Sequence, residues 1–320
     1  MSEITLIPGD SDANTRAVLH MLRGLDAGLT FDRQDFGGAE PSEALLASAR
    51  RTGRVLMGHR QQAQKDQQAP IVALRKSLGI FANLRPVHGV RGIPARFPNA
   101  DVLVVRETTE DVYAQLEHES IPGTFESLKV TTEAACERIA RFAFDTARAK
   151  GRKRVTIVHK SNIMKKSDGL FLRTAQRVGA EYSDVDCDEC IVDALCMKLV
   201  RNPNQFDVLV CGNLFGDIVA DLCAGLVGGT PNAPSVNVGA DDVTVYTPGH
   251  GEADASAQTS CPTSLAFAAV LMLRDMGKAD AADRLMGALQ DTMEAGTKPV
   301  AAGGQATAEQ FASAVSQRLQ

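Results

Sequence analysis

The chain has no apolar run approaching membrane-spanning length, which argues against a transmembrane helix. It has no basic excess either: 34 Lys and Arg against 39 Asp and Glu give a formal charge of −5. Nucleic acid and anionic membrane are therefore not expected partners. The opening MSEITLIPGD lacks a basic stretch followed by an apolar one, so no secretory leader is expected. Seven scattered cysteines, an odd number, do not make a closed disulfide framework. They suit a reducing compartment, and the expected location is the cytoplasm. The one Cys-x-x-Cys, Cys187-Asp-Glu-Cys190, has no second pair and no neighbouring His. It is a lone zinc or redox motif or, more simply, two ordinary cysteines. There is no internal repeat and no low-complexity linker. Tryptophan is absent and tyrosine occurs three times, which excludes no function class.

What is present is ordinary globular composition, 44% hydrophobic and 23% charged, in 320 residues, enough for two core-bearing lobes. Short apolar runs alternate with amphipathic stretches. Strands are expected at 3–7, 29–36, 54–58, 101–106, 154–160, 206–210 and 243–246. Helices are expected from 14 or 15 to 25, then at 43–51, from Pro70, and at 133–150, 168–178, 264–276, 281–295 and 308–319. This alternation predicts a mostly parallel α/β sheet covered by helices. The segment after Gly229, rich in Gly, Pro and Asn, is expected to be a loop. Ile121-Pro-Gly123 is the turn of a hairpin arm with Tyr113 at its base.

The most informative stretch is Phe206 to Gly229, FDVLVCGNLFGDIVADLCAGLVGG. It reads as a strand, an N-cap at Asn213 and a helix ending at glycines. Asp217 and Asp221, four apart, share one face of that helix without a local counter-charge. A hard cation such as Mg²⁺ or Mn²⁺ would relieve their repulsion; a solvated acidic face is the plainer alternative. Arg75, Arg85 and Arg106 each sit at or near the end of an element. Converging, they would bind a di- or tricarboxylate through bidentate pairs; alone, each is a surface arginine. Tyr113 is a possible proton donor or simply a core or interface tyrosine. Lys160 falls at the C-terminal edge of its strand, and Asp193 lies on the helix leading into Phe206.

Three motifs carry a resemblance. RETTEDVYAQLEH, HKSNIMKKSDGLFL and the 206–229 stretch are similar to motifs of the isocitrate and isopropylmalate dehydrogenases, metal-dependent β-decarboxylating dehydrogenases of 2-hydroxy acids. The wording is nearest that of the NAD-dependent isocitrate enzymes. The resemblance implies their two-lobed α/β fold, with a parallel or mixed sheet, helices on both faces and a hairpin arm at about 112–130. It divides the chain into a large, cofactor-side lobe (1–81 and 229–320) and a small lobe (82–228) bearing substrate, metal and dimer contacts. Arg75, Arg85 and Arg106 would bind substrate carboxylates, Tyr113 and Lys160 would form the acid–base pair, and Asp193, Asp217 and Asp221 would hold Mg²⁺ or Mn²⁺. His250, Gly251 and Asp254 would face the cofactor, with Asp254 placed for the ribose of NAD. Lys160 and Asp193 would reach the site from a second subunit, which implies a homodimer with shared active sites.

The chain also departs from the family pattern. Gly9-Asp-Ser-Asp-Ala-Asn-Thr15 replaces GDGIGPE, and Gly58-His-Arg-Gln-Gln-Ala63 replaces the G-P-x-T-T-P loop. Ala69 and Ile71 stand where isocitrate enzymes read the distal carboxylate with Ser and Asn. The expected substrate is thus an isocitrate-like acid with a different distal group: a phosphonate, an alkylmalate or a longer acid, with His59, Arg60 or Lys65 available for an anion. Isocitrate itself, and a non-catalytic regulatory subunit, are the alternatives.

Overall fold

The computed structural model describes residues 2–10, 12–60, 69–249 and 261–320. The first elements are β1 (Ser2–Ile7), α1 (Asp12–Gly24), β2 (Leu29–Arg33), α2 (Glu43–Thr52), β3 (Arg54–Met57) and α3 (Pro70–Ser77). They are followed by β4 (Ile80–His88), β5 (Asp101–Glu107), β6 (Glu117–Ile121), β7 (Thr124–Ser127), α4 (Glu133–Ala149), β8 (Arg154–His159), α5 (Ser167–Gly179), β9 (Asp186–Ile191), α6 (Val192–Arg201), β10 (Val208–Cys211) and α7 (Asn213–Leu226). The chain closes with β11 (Pro234–Gly239), β12 (Thr244–Pro248), α8 (Thr263–Asp275), α9 (Ala279–Glu294) and α10 (Ala308–Leu319). Contacts divide it into two units: 1–80 with 88–98 and 224–320, and 81–87 with 99–223.

In the first unit the strand order is β2-β1-β3-β12-β11. The first four run parallel, and β11 closes the row antiparallel to β12. Ile7, Phe36, Leu45, Val55, Leu74 and Val245 form a core almost entirely shielded from water. Helix α8 is buried from Thr263 to Val270, so its apolar run needs no polar face. Strand β11 overturns the loop expected after Gly229. Its polar residues hide the strand signal because they are buried and bonded: Asn237 Nδ2 donates to the Val245 carbonyl at 3.3 Å. Pro234 sits at the first strand position, where a missing N–H is tolerated. Residues 88–98, placed by sequence with the middle of the chain, belong here. Arg91 bonds Gln290, Asp291 and Glu294, and the Phe97 amide donates to the Leu226 carbonyl at 3.1 Å.

In the second unit the order is β4-β5-β10-β8-β9. Strands β5, β10, β8 and β9 are parallel, with Val208 level with both Leu103 and Val155. Val208 to Cys211 are fully buried, as expected of a central parallel strand. Strand β9 (DCDECI) is not expected from sequence, because three of its six residues are acids. It is an edge strand, where outward charges discourage pairing with another chain. Its alternation also settles Cys187 and Cys190. Three residues apart on a strand they face opposite ways, about 10 Å apart along it, and Cys187 is exposed while Cys190 is buried. That separation exceeds the Cα span of a disulfide. β6 and β7 form a two-stranded hairpin joined by Pro122-Gly123, with every strand residue exposed.

Candidate active site

Helix α7 stacks Asp217 and Asp221 on one face, each against a buried arginine of the same unit. Arg85, on β4, donates from Nη2 to Asp221 Oδ1 at 3.3 Å. Arg106, near the end of β5, donates from Nη1 to Asp217 Oδ1. Both arginines are only 4% exposed. Burial pulls the Arg85 guanidinium below its ordinary pKa, opposed by Asp221. Nε and Nη2 of Arg106 both donate to Asn213 Oδ1, at 3.0 and 2.7 Å. The fork is therefore aimed before any ligand arrives, the condition for planar recognition of a carboxylate.

Asn213 is thus not the N-cap that its position suggests. It is the first residue of α7, and its side chain is committed to Arg106 and, through Nδ2, to the Glu110 carbonyl at 3.0 Å. The first turn is capped from elsewhere: Asp111 Oδ2 accepts the Leu214 amide at 3.1 Å. Sequence reasoning missed Asp111, because its partner lies 103 positions away. It has φ 79° and ψ −153°, a region that strains any residue with a Cβ. Its other oxygen accepts the Val112 amide at 2.8 Å and so fixes the short 3₁₀ turn Val112–Ala114.

Tyr113 sits on that turn. Its hydroxyl donates to Asp217 Oδ2, and the Arg106 guanidinium lies 5.1 Å from its ring centre. Burial first, then the bond to Asp217, raises the phenol above its ordinary pKa, so at neutral pH it holds its proton. Lys160 follows β8, and its Nζ donates to Asp193 Oδ1 in the first turn of α6. That bond holds the Asp193 carboxyl below its ordinary pKa. The Asp193 side chain is 66% exposed. Arg85, Arg106, Tyr113, Asp217 and Asp221 are thus brought together in one cluster, with Lys160 and Asp193 as a separate pair. Among the described residues, no group of three His, Cys, Asp or Glu gathers as a metal site within one chain. Asp217 and Asp221 offer two hard oxygen donors from one helix face, which fits Mg²⁺ or Mn²⁺ and leaves further ligands to come from elsewhere.

Arg75 belongs to the first unit, where its Nε donates to Asn237 Oδ1 at 3.0 Å. Nothing in the sequence flags Asn237, which is fully buried in β11. In the same unit, Gly9 and Gly58 allow two backbone turns to touch: a Cβ on Gly58 would stand 2.4 Å from the Gly9 nitrogen. Arg60, expected to be available for an anion, donates to the Pro8 carbonyl at 3.1 Å and lies 3.8 Å from Asp10. Ile71 packs on the apolar core of the unit. Lys65, His250, Gly251 and Asp254 lie outside the described residues.

Fold and cluster together define an α/β protein whose buried, pre-aimed guanidiniums and paired acids suit a small carboxylate-bearing molecule. The family model described as isocitrate/isopropylmalate dehydrogenase matches residues 21–315, and the chain belongs to that family. It is 38% identical to 3-isopropylmalate dehydrogenase of Archaeoglobus fulgidus, over all of both chains. It is 37% identical to a probable NAD isocitrate dehydrogenase subunit alpha of Caenorhabditis elegans, covering 99% of this chain and 92% of that one. The crystal structure of isocitrate dehydrogenase from Methylococcus capsulatus superposes with a TM-score of 0.92 at 34% identity, covering 100% and 99% of the two chains. Membership supports oxidative decarboxylation of a hydroxy acid.

Proposed function

We propose that the chain is an NAD-dependent, metal-assisted β-decarboxylating dehydrogenase of a 2-hydroxy-3-carboxy acid. The observation that carries this reading is the Arg85–Asp221 and Arg106–Asp217 cluster with the Tyr113 phenol on the same Asp217 carboxylate. Arg85 and Arg106 bind substrate carboxylates, the role the family motifs also give Arg75. Asp217 and Asp221, joined by Asp193 of the partner subunit, hold Mg²⁺ or Mn²⁺, which supplies Lewis-acid chemistry at the substrate hydroxyl. NAD supplies the hydride acceptor; Asp254 in the 250–258 segment favours it over NADP, since an acid suits a free ribose hydroxyl. Lys160 of the partner subunit takes the hydroxyl proton. Tyr113, protonated at neutral pH, delivers a proton to the carbon that loses CO₂.

A homodimer with shared sites follows from this division. The exposed side chains of Phe125, Ile121, Ile163 and Ile218 support such contacts. A non-catalytic regulatory role is disfavoured, because a subunit without catalytic duty has no use for the retained acids, arginines, Tyr113 and Lys160. Seven thiols, none of them paired, support a reducing compartment, the cytoplasm.

The distal group of the substrate is the open specificity. Ala69 caps α3 without a side-chain bond and Ile71 packs on core, so neither supplies a hydrogen bond to a distal carboxylate. This favours an alkylmalate-type acid over isocitrate, since an unpaired carboxylate there is costly. The test assays purified protein with Mn²⁺ and NAD⁺ or NADP⁺ against isocitrate, 3-isopropylmalate, longer 2-hydroxy-3-carboxy acids and a phosphonate analogue. Turnover of an alkylmalate above isocitrate is the expected result. Isocitrate as the best substrate refutes the distal-group reading, and no turnover on the whole panel refutes the enzyme.

A further inference from the structure

Next to Asp111 lies a half-buried cation that the proposed reaction does not use. Lys129, two residues past the hairpin, is 17% exposed at its side chain and sits between two acids that are themselves 4% and 5% exposed. Its Nζ is 3.1 Å from Asp111 Oδ2 and 3.0 Å from Asp168 Oδ1. It also lies 5.0 Å from the Phe215 ring centre. One ammonium between two buried carboxylates offsets part of the cost of burying them, and removing it would leave both without a cationic partner at that point.

The rest of each carboxylate is spent on backbone amides, one beside each of the two candidate acid–base residues and, for Asp111, also the Leu214 amide at the start of α7. Asp111 Oδ1 accepts the amide of Val112, the neighbour of Tyr113, at 2.8 Å. Asp168 Oδ2 accepts the amide of Lys160 itself at 2.6 Å. Tyr113 and Lys160 stand on different elements, and this relay is a direct polar path from one to the other. Arg106 has a further anchor of its own in Asn213, whose Nδ2 is held by the Glu110 carbonyl.

We infer that Lys129 is a positioning residue: by bridging Asp111 and Asp168 it fixes the backbone that carries Tyr113 and the backbone that carries Lys160. The inference rests on the proposed acid–base roles of those two residues. Losing the bridge lets the two segments drift, whereas Arg106 keeps its own bonds to Asn213. A displacement of an ångström in an acid–base group costs about 10²-fold in rate.

The experiment compares wild type, Lys129→Met and Lys129→Arg by residue-resolved amide hydrogen exchange and by steady-state kinetics with isocitrate and 3-isopropylmalate, Mn²⁺ and NAD⁺. Lys129→Met should lose protection selectively at Val112, Lys160 and Leu214, the amides held by Asp111 and Asp168, with α4 amides unchanged. Its kcat should fall about 10²-fold at a KM within about twofold, and Lys129→Arg should recover most of both. A merely structural role would lower protection everywhere and leave the kcat of the folded fraction intact, which overturns the inference. Unchanged protection at Val112 and Lys160, or wild-type kcat despite lost protection, overturns it too. Should Lys129→Met not fold, Asp168→Asn takes its place, with loss at the Lys160 amide and in kcat as the same criteria. Wild-type protein inactive on both substrates counts against the functional reading alone; selective exchange loss then still upholds the bridge, and its absence still removes it.

Discussion

Tyr113 and Asp217 meet phenol to carboxylate, on the oxygen of Asp217 that Arg106 does not hold. Both oxygens of that acid are therefore committed before any cation binds. A metal held at Asp217 would take a remaining lone pair of these oxygens or compete with Arg106 and Tyr113 for them, so the cation and the two side chains would be coupled through one carboxylate.

Asp217→Asn keeps the shape and the acceptor but removes one of the two clustered negative charges. Ligand charge dominates a hard-cation site, so the Mn²⁺ concentration for half-maximal activity should rise about tenfold or more. A metal titration of activity measures it. An unchanged requirement would show that Asp217 serves Arg106 and Tyr113 and holds no metal.

Tyr113→Phe and Lys160→Met should fail at different stages. Each loses an acid–base group, with an overall cost of about 10²–10⁴ in kcat. Tyr113→Phe should nonetheless reduce a 2-oxo acid analogue lacking the β-carboxylate at near wild-type rate, whereas Lys160→Met should be slow in both assays. Equal losses across both reactions for Tyr113→Phe would refute the separate roles.

Gly216 is where α7 presses on the base of Arg106: an added Cβ would lie 2.6 Å from Arg106 Cγ and 2.7 Å from its Cβ. These atoms sit next to the β5 backbone and cannot swing aside. Gly216→Ala should therefore misaim the guanidinium, at an overpacking cost of about 1–3 kcal/mol, and raise substrate KM about tenfold. Gly225→Ala is the control, since nothing lies within 4 Å of its Cβ position. It should gain stability through helix propensity and leave KM alone. Equal KM values for the two variants would contradict the packing argument.

The parts of this architecture that were legible in the sequence are those specified locally. The apolar run before α7, the i,i+4 acids, the Pro-Gly hairpin turn and the arginines near strand ends all carry their signal within a few residues. Strand β9 was hidden by its edge position, which tolerates acids, and β11 by buried polar residues that look loop-like in one dimension. Asn213 shows the limit of local rules: it stands where an N-cap belongs, yet Arg106 claims its side chain and Asp111 caps the helix. Lys160 and Asp193 pair with each other in one chain, a relationship no spacing rule reveals.

That pairing leads to a complementation test of the shared-site dimer. If one subunit supplies Tyr113 and Asp217 and the other supplies Lys160 and Asp193, the Asp217→Asn and Lys160→Met lesions fall in different halves of a site. Dissociating and remixing the two variants, assayed at a Mn²⁺ concentration too low to support Asp217→Asn, should place both lesions in one site of each hybrid and leave its other site intact. Random reassortment into a twofold dimer predicts about a quarter of wild-type activity. Persistent inactivity in hybrids verified by mass would place each site within a single chain.

Alkali should unfold the protein through its buried thiols. Cys136 and Cys223 are 2% and 1% exposed, and burial pushes each up to about 12. In the unfolded chain both return to the ordinary value of about 8.5. The folded pKa is the higher of the two, so the contribution to stability is fully present below about pH 8.5 and fades as pH rises toward 12. Each thiol should then account for roughly 1–3 kcal/mol of lost stability between neutrality and pH 10.5. Urea midpoints at the two pH values measure it, under reducing conditions. The Cys136→Ala and Cys223→Ala double variant should be less stable than wild type at neutral pH, since each change leaves a small cavity. Its decline between the two pH values should nevertheless be shallower, because two of the titrating groups are gone. Parallel declines in the two proteins would mean that other buried groups govern the alkaline limit.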